Sequence, residues 1–91
     1  MNEKQFQQQV RELSLITGWQ VYHTWHSMHS PAGFPDLCLV RDSRLIFSEL
    51  KTDSGQVTPA QQVWLDALKA TRAEVYVWRP DMFNAIVEIL R

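Results

Sequence analysis

Ninety-one residues, 45% of them hydrophobic and including four Trp, leave room for one small domain spanning 1–91 with a modest core and exclude a second. A net charge of -1 excludes a polycation that holds nucleic acid by bulk electrostatics, so any such affinity must come from a local patch or a bound metal. The lone Cys38 excludes an internal disulfide. The lack of a membrane-length apolar run or a leading basic-apolar segment makes a cytoplasmic protein the expectation.

In chain order, residues 3–17 carry Phe6, Val10, Leu13 and Ile16 at helical spacing, with Asn2 as N-cap and Gly18 as the stop. Residues 19–25 alternate Trp19, Val21, His23 and Trp25 against Gln20, Tyr22 and Thr24, the period of a strand, and a loop follows over 26–34. Residues 36–41 and 44–51 read as two more strands, separated only by Asp42-Ser43, a hairpin turn. Both faces of these strands are apolar: Cys38, Val40, Leu45 and Phe47 on one, Leu37, Leu39, Ile46 and Leu50 on the other. The expectation is a sheet covered on both sides. After a polar loop, Thr58-Pro59-Ala60-Gln61 reads as an N-cap, a first-turn proline and a capping box. That helix runs to about Thr71 with Gln61, Trp64, Leu65 and Leu68 inward. A strand over 73–79 follows, then a helix from Pro80-Asp81 with an apolar stripe of Phe83, Ile86, Val87 and Leu90. The order is αβββαβα, an α/β fold without internal repeats or linkers.

A turn centred between 42 and 43 makes opposite residues sum to 85, so Arg41 faces Arg44, Leu39 faces Ile46 and Asp36 faces Glu49. Lys51, two residues beyond Glu49, projects from the same face. Two carboxylates about 5 Å apart repel by about 3 kcal/mol at an effective dielectric near 20, which is unfavourable for structure alone. A divalent cation offsets that repulsion. Ligation by Asp36, Glu49, a backbone carbonyl and waters suits magnesium or manganese rather than zinc. Pro35-Asp36 followed by Glu49-Leu50-Lys51 therefore supplies the groups for metal-assisted phosphodiester hydrolysis.

His23, His26, His29 and Cys38 are candidate zinc ligands within a short stretch, but they lack a closed Cys/His spacing. We place His23 near the cleft instead, with His26 and His29 in a solvated loop. Trp64 and Trp78 lie on apolar faces and read as core, whereas Trp25, at the mouth of the loop, is a candidate for contact with nucleic acid. Arg41 and Arg44 beside the turn, Arg11, Lys69 and Arg72 form no dense basic run and read as solvated charges.

These residues carry a resemblance. Gly33-Phe34-Pro35-Asp36-Leu37, Glu49-Leu50-Lys51, the Gly18-Trp19 step, Thr58-Pro59-Ala60-Gln61 with Trp64, and Val77-Trp78-Arg79-Pro80 together resemble the VRR-NUC family of the PD-(D/E)XK, restriction-endonuclease-like nucleases, over nearly the whole chain. The resemblance implies an αβββαβ core, a mixed sheet flanked by helices, here with an extra C-terminal helix. It also implies metal binding by Asp36, Glu49 and the main-chain carbonyl of Leu50, with Lys51 positioning or activating the attacking water. Glu3 matches an acid placed early in the first helix that reaches the metal directly or through water; a first-turn carboxylate favouring the helix dipole is the alternative. Gln61 resembles a glutamine near the catalytic site, although capping explains it without catalysis.

Stand-alone members of this kind, typically from phages and prophages, imply a homodimer acting on branched DNA such as Holliday junctions in a bacterial or phage-infected cell. A two-fold dimer matches the near two-fold symmetry of a junction. A rival reading is a non-catalytic DNA-binding or accessory module of a replication or repair complex on the same fold. Sequence-specific restriction is disfavoured because so short a chain leaves little room for base-reading loops.

Overall fold

The computed structural model describes residues 1–25 and 28–91. Helix α1 (Glu3–Ile16) is followed by strands β1 (Gln20–His23), β2 (Leu37–Arg41) and β3 (Arg44–Leu50), then by helix α2 (Pro59–Lys69) and strand β4 (Glu74–Trp78). A 3₁₀ turn (Pro80–Met82) leads into helix α3 (Phe83–Leu90). This is the expected αβββαβα order. The strands form one sheet in the order β1-β2-β3-β4, antiparallel at the first two joints and parallel at the last. A parallel joint needs a crossover, and α2 supplies it.

The capping box read from the sequence at Thr58 is present, and Asn2, read as an N-cap, heads a second one with Gln5. Asn2 Oδ1 accepts from the Gln5 N–H at 2.8 Å, Thr58 Oγ1 accepts from the Gln61 N–H at 3.2 Å, and each glutamine side chain accepts from its cap's N–H. On one face of the sheet Leu37, Leu39, Ile46, Leu50 and Trp78 pack against Phe6 and Val10 of α1 and Ile86 and Leu90 of α3, all fully buried. The alternation of β2 and β3 thus delivers the apolar set expected on this side.

Four expectations need correction. Ile16 is 82% exposed rather than part of the inner stripe, because six residues past Val10 lies about 120° around the helix from it. Ser14 takes the inner place, its hydroxyl donating to the Val10 carbonyl at 2.7 Å. The first strand is shorter than 19–25: Trp19 is core, and Trp25 lies beyond the ladder. Thr24 still donates from its N–H to the Asp36 carbonyl (2.8 Å) and from its hydroxyl to the Pro35 carbonyl (2.7 Å), but Pro35 has no N–H with which to continue the ladder. The sheet's second face is only partly covered. There α2 packs against β4 and buries Leu65, and Phe34 sets edge-on to Phe47 and Trp64, leaving Val40 and Leu45 each 38% exposed at the hairpin end.

The fourth correction concerns Arg41 and Arg44, which are fasteners rather than solvated charges. Arg41 donates to the carbonyls of Thr17, Leu90 and Arg91 at 2.8–3.0 Å, and Arg44 donates to that of Ile89 at 3.0 Å while pairing with Glu74 at 2.8 Å. Both guanidinium groups lie over the Trp19 ring, at 4.5 and 5.0 Å from its centroid. Cations placed on the last carbonyls of α3 also favour its dipole.

Gly33 closes the loop before β2 against the first turn of α2. Its φ is +98°, and a Cβ there would stand 2.5 Å from the Ala60 carbonyl group. Backbone cannot move aside as a flexible side chain can. Gly33→Ala is therefore expected to cost about 2 kcal/mol or more in chemical denaturation, and an unchanged midpoint and slope would contradict this close approach.

Candidate active site

The hairpin turn places Asp42 in the left-handed region at φ 55°, a conformation that a short polar residue tolerates and that matches the strand twist. The observed pairs Arg41↔Arg44, Leu39↔Ile46 and Leu37↔Ser48 keep the sum of 85 through the whole hairpin. One step further, Asp36 comes opposite Glu49. There the Asp36 Oδ2 accepts from the Leu50 N–H at 2.8 Å, and the Asp36 carbonyl is held by Thr24. The strand-to-strand ladder and this side-chain bond together fix the carboxylate.

Glu49 in β3 and Lys51 just past its end lie on the same side of the sheet, and both are buried. Lys51 Nζ is 3.5 Å from Glu49 Oε2, whereas Oε1 has no hydrogen-bond partner. Burial, reinforced by the negative charge of Asp36, pushes the Glu49 carboxyl up to about 8, and Lys51 opposes that shift without cancelling it. When both acids are ionised neither can donate to the other. A proton on Glu49 or a cation between the pair relieves the conflict.

The donor set fits a hard divalent ion: two carboxylates meet beside a lysine, and one buried oxygen is left without a partner. Among the described residues no group of three or more His, Cys, Asp or Glu side chains gathers at one point, so remaining ligands to an ion here would be main-chain carbonyls and waters. Glu3 is exposed in the first turn of α1 and lines the same cleft as Asp36 and Leu50 without joining them in such a cluster. Gln61 has its side-chain oxygen engaged in the cap of α2, 2.9 Å from the Thr58 nitrogen, and lines a second cleft that also contains Asp36.

The zinc alternative finds no closed ligand set among the described residues: His23 lines the cleft, His29 is exposed, and burial raises the Cys38 thiol above its ordinary value. His26 lies outside the described residues. Trp78 is core as expected, and Trp64 is half-buried against Phe34.

Two supporting residues escaped the sequence reading. Arg79 Nη1 donates to the carbonyls of Thr52 and Gly55, both at 2.7 Å, and so ties down the loop that leaves Lys51. Thr24 pins the end of β1 to Pro35 and Asp36. A threonine in an alternating run and an arginine before a proline carry no local signal of such contacts.

Two open clefts meet at Asp36. One, of about 840 Å³, runs along α1 past Glu3, Lys4 and Arg11; the other, of about 720 Å³, is walled by Tyr22, Phe34 and Trp64. Thr24 and Trp25 border both. No helix among the described residues is long and apolar enough to cross a membrane.

Comparison with known proteins agrees with this architecture. Two solved structures described as a VRR_NUC domain protein and a VRR_NUC domain superpose with TM-scores of 0.73 and 0.77. They cover 99% and 97% of this chain and 85% and 92% of their own, at 19% and 21% identity. A curated relative, the Fanconi-associated nuclease 1 homolog of Schizosaccharomyces pombe, is 36% identical over 56 residues, which is 59% of this chain but 8% of that protein. The VRR-NUC domain family matches residues 1–82, nine-tenths of the sequence, and the chain belongs to that nuclease-domain family.

Proposed function

We propose that this chain is a magnesium- or manganese-dependent DNA endonuclease that hydrolyses phosphodiester bonds in branched DNA such as Holliday junctions and works as a homodimer. The observation that carries the hydrolytic part is Glu49, a buried carboxyl set against Asp36 and Lys51 with one oxygen unpartnered. Such a group, once ionised, destabilises the fold unless a cation compensates it. Asp36, Glu49 and the Leu50 carbonyl would hold the ion, with Glu3 reaching it through water. A divalent ion bound there would polarise the scissile phosphate and lower the pKa of a bound water, so that hydroxide, the nucleophile, would be available near neutral pH.

The chain's own part is orientation and charge. Asp36 is locked by the Leu50 N–H, so its free oxygen keeps a fixed direction. Lys51, held 3.5 Å from Glu49 in a nearly dry setting, offers N–H donors to an attacking water or to a phosphate oxygen gaining charge. Gln61, at the wall of the second cleft, is placed to orient substrate with its amide NH₂ while its oxygen caps α2.

The test is a panel of labelled single-stranded, duplex, flap and four-way DNA incubated with magnesium, with manganese or with chelator, alongside the sedimentation of the protein. The expected result is ion-dependent, paired incision of the four-way substrate by a dimer. Binding without cleavage under every ion supports the accessory-module reading instead, and cleavage by a strict monomer removes the dimer from the proposal.

A further inference from the structure

The aromatic wall where the two clefts meet has no role in holding the ion, and Trp25 is its most exposed member. Its ring is 77% exposed and stands beyond the last rung of the β1 ladder, yet it is not on a loose end. The residue before it is bonded twice, to Pro35 and to Asp36, and the His23 ring supports it at 5.3 Å between centroids, tilted by 50°. The main chain that carries Trp25 is thus tied directly to the residue that carries a reactive carboxylate. Exposing an indole to water costs free energy, and the core gains nothing from this one. Across the second cleft Tyr22, 64% exposed, and Phe34 extend the aromatic surface.

Charge indicates what such a surface receives. The chain carries a net charge of -1, and the first cleft sets Lys4 and Arg11 beside Glu3 and Glu12, so phosphate attraction alone is weak. Resting on the nucleic-acid substrate proposed above, we infer that Trp25 is a stacking platform for an unpaired nucleobase adjoining the phosphate held at Asp36, and that it biases the enzyme toward strands already open at the cut. The sugar-phosphate chain follows the polar cleft past Lys4 and Arg11 while the base turns into the aromatic one. A paired base is stacked on both faces and presents none to Trp25 until it is unstacked, which costs a few kcal/mol. An unpaired base meets no such cost, so the ring discriminates by the state of the strand and not by its sequence.

The test measures binding of a fluorescein-labelled single-stranded oligonucleotide and of the matching blunt duplex, in chelator, by wild type, Trp25→Ala and Trp25→Phe, with ion-dependent cleavage assayed on the same preparations. Stacking of ordinary strength predicts that Trp25→Ala weakens single-strand binding by about 10-fold or more and duplex binding by less than about 2-fold, with Trp25→Phe within about 3-fold of wild type. Melting temperatures equal to wild type are expected, since the ring is outside the core. Equal affinity of Trp25→Ala for the single strand, or equal losses on both DNAs, overturns the platform even where cleavage is intact. Absence of cleavage by wild type under every ion overturns the hydrolytic reading, and the binding ratio still decides the platform.

Discussion

Lys51→Ala is expected to lower the turnover number on DNA by about 100- to 1,000-fold while leaving KM near that of wild type. The reason is the position of the ammonium group: it is 3.5 Å from Glu49 and screened from water, so its interaction with developing negative charge is stronger than on an open surface. Asp36→Ala and Glu49→Ala are expected to lose about 1,000-fold or more, because each removes a carboxylate from the proposed ion site. Combining Lys51→Ala with Asp36→Ala should cost little beyond Asp36→Ala alone, since groups acting as one unit are not additive. Lys51→Arg keeps the charge but spreads it over a planar fork, and recovery should be partial. Purified Asp36→Ala protein that cuts as fast as wild type would refute the assignment of the site.

The second large effect is on stability and runs with pH. In the absence of metal, Glu49 holds its proton up to about 8, whereas the same carboxyl in the unfolded chain releases it near 4.5. Between those values the folded state binds more protons than the unfolded state, so stability falls as pH rises through this window. At about 1.4 kcal/mol per unit of pKa difference, the loss is on the order of several kcal/mol, a large share of what a small domain possesses. Glu49→Gln removes the charge but keeps the shape. In chelator the variant should melt well above wild type at pH 8 and close to it at pH 4.5. The difference between the two proteins isolates Glu49 from every other titrating group. Glu74, held low by its hydrogen bonds from Arg44, contributes stability above its unfolded value and loses it only at more acid pH, outside this window. Magnesium or manganese should restore the wild-type midpoint at pH 8 and do much less for Glu49→Gln. Parallel pH profiles for the two proteins in chelator would remove the physical basis for a strained carboxyl.

The hairpin was legible because three independent signals agree there: alternation on both strands, a two-residue polar turn, and acids equidistant from it. The side-chain period of two leaves no freedom once the turn is placed, which is why pairing counted outward from Asp42-Ser43 holds to Leu37↔Ser48. The Thr58 capping box was legible for the same reason, since its partners are three residues apart, whereas at Asn2 only the cap itself was read and Gln5 was missed. Contacts at long separation were not. Arg41 reaching Leu90 and Arg79 reaching Thr52 join residues 49 and 27 positions apart, and an arginine's sequence neighbours do not state where its fork will land. Ile16 misled because apolar spacing near a helix end matches more than one face, and a serine bonded to its own backbone can hold the inner position. The end of β1 was misplaced because its cause, the missing N–H of Pro35, lies in another strand's approach.

Glu49 and Leu50 end β3, where its pairing with β4 runs on to Leu50↔Trp78 while its pairing with β2 stops at Leu37↔Ser48, and Lys51 just beyond donates to the Trp78 carbonyl at 3.0 Å. Opening them requires breaking the β4 ladder on one side and the Asp36–Leu50 bond on the other. The main chain of Trp25, two residues past the last β1–β2 pair, is held through the bonds of Thr24 to Pro35 and Asp36. The proposed ion site is thus braced by main chain from one side and a carboxylate from the other, while the backbone of Trp25 on its aromatic rim leans on a single threonine.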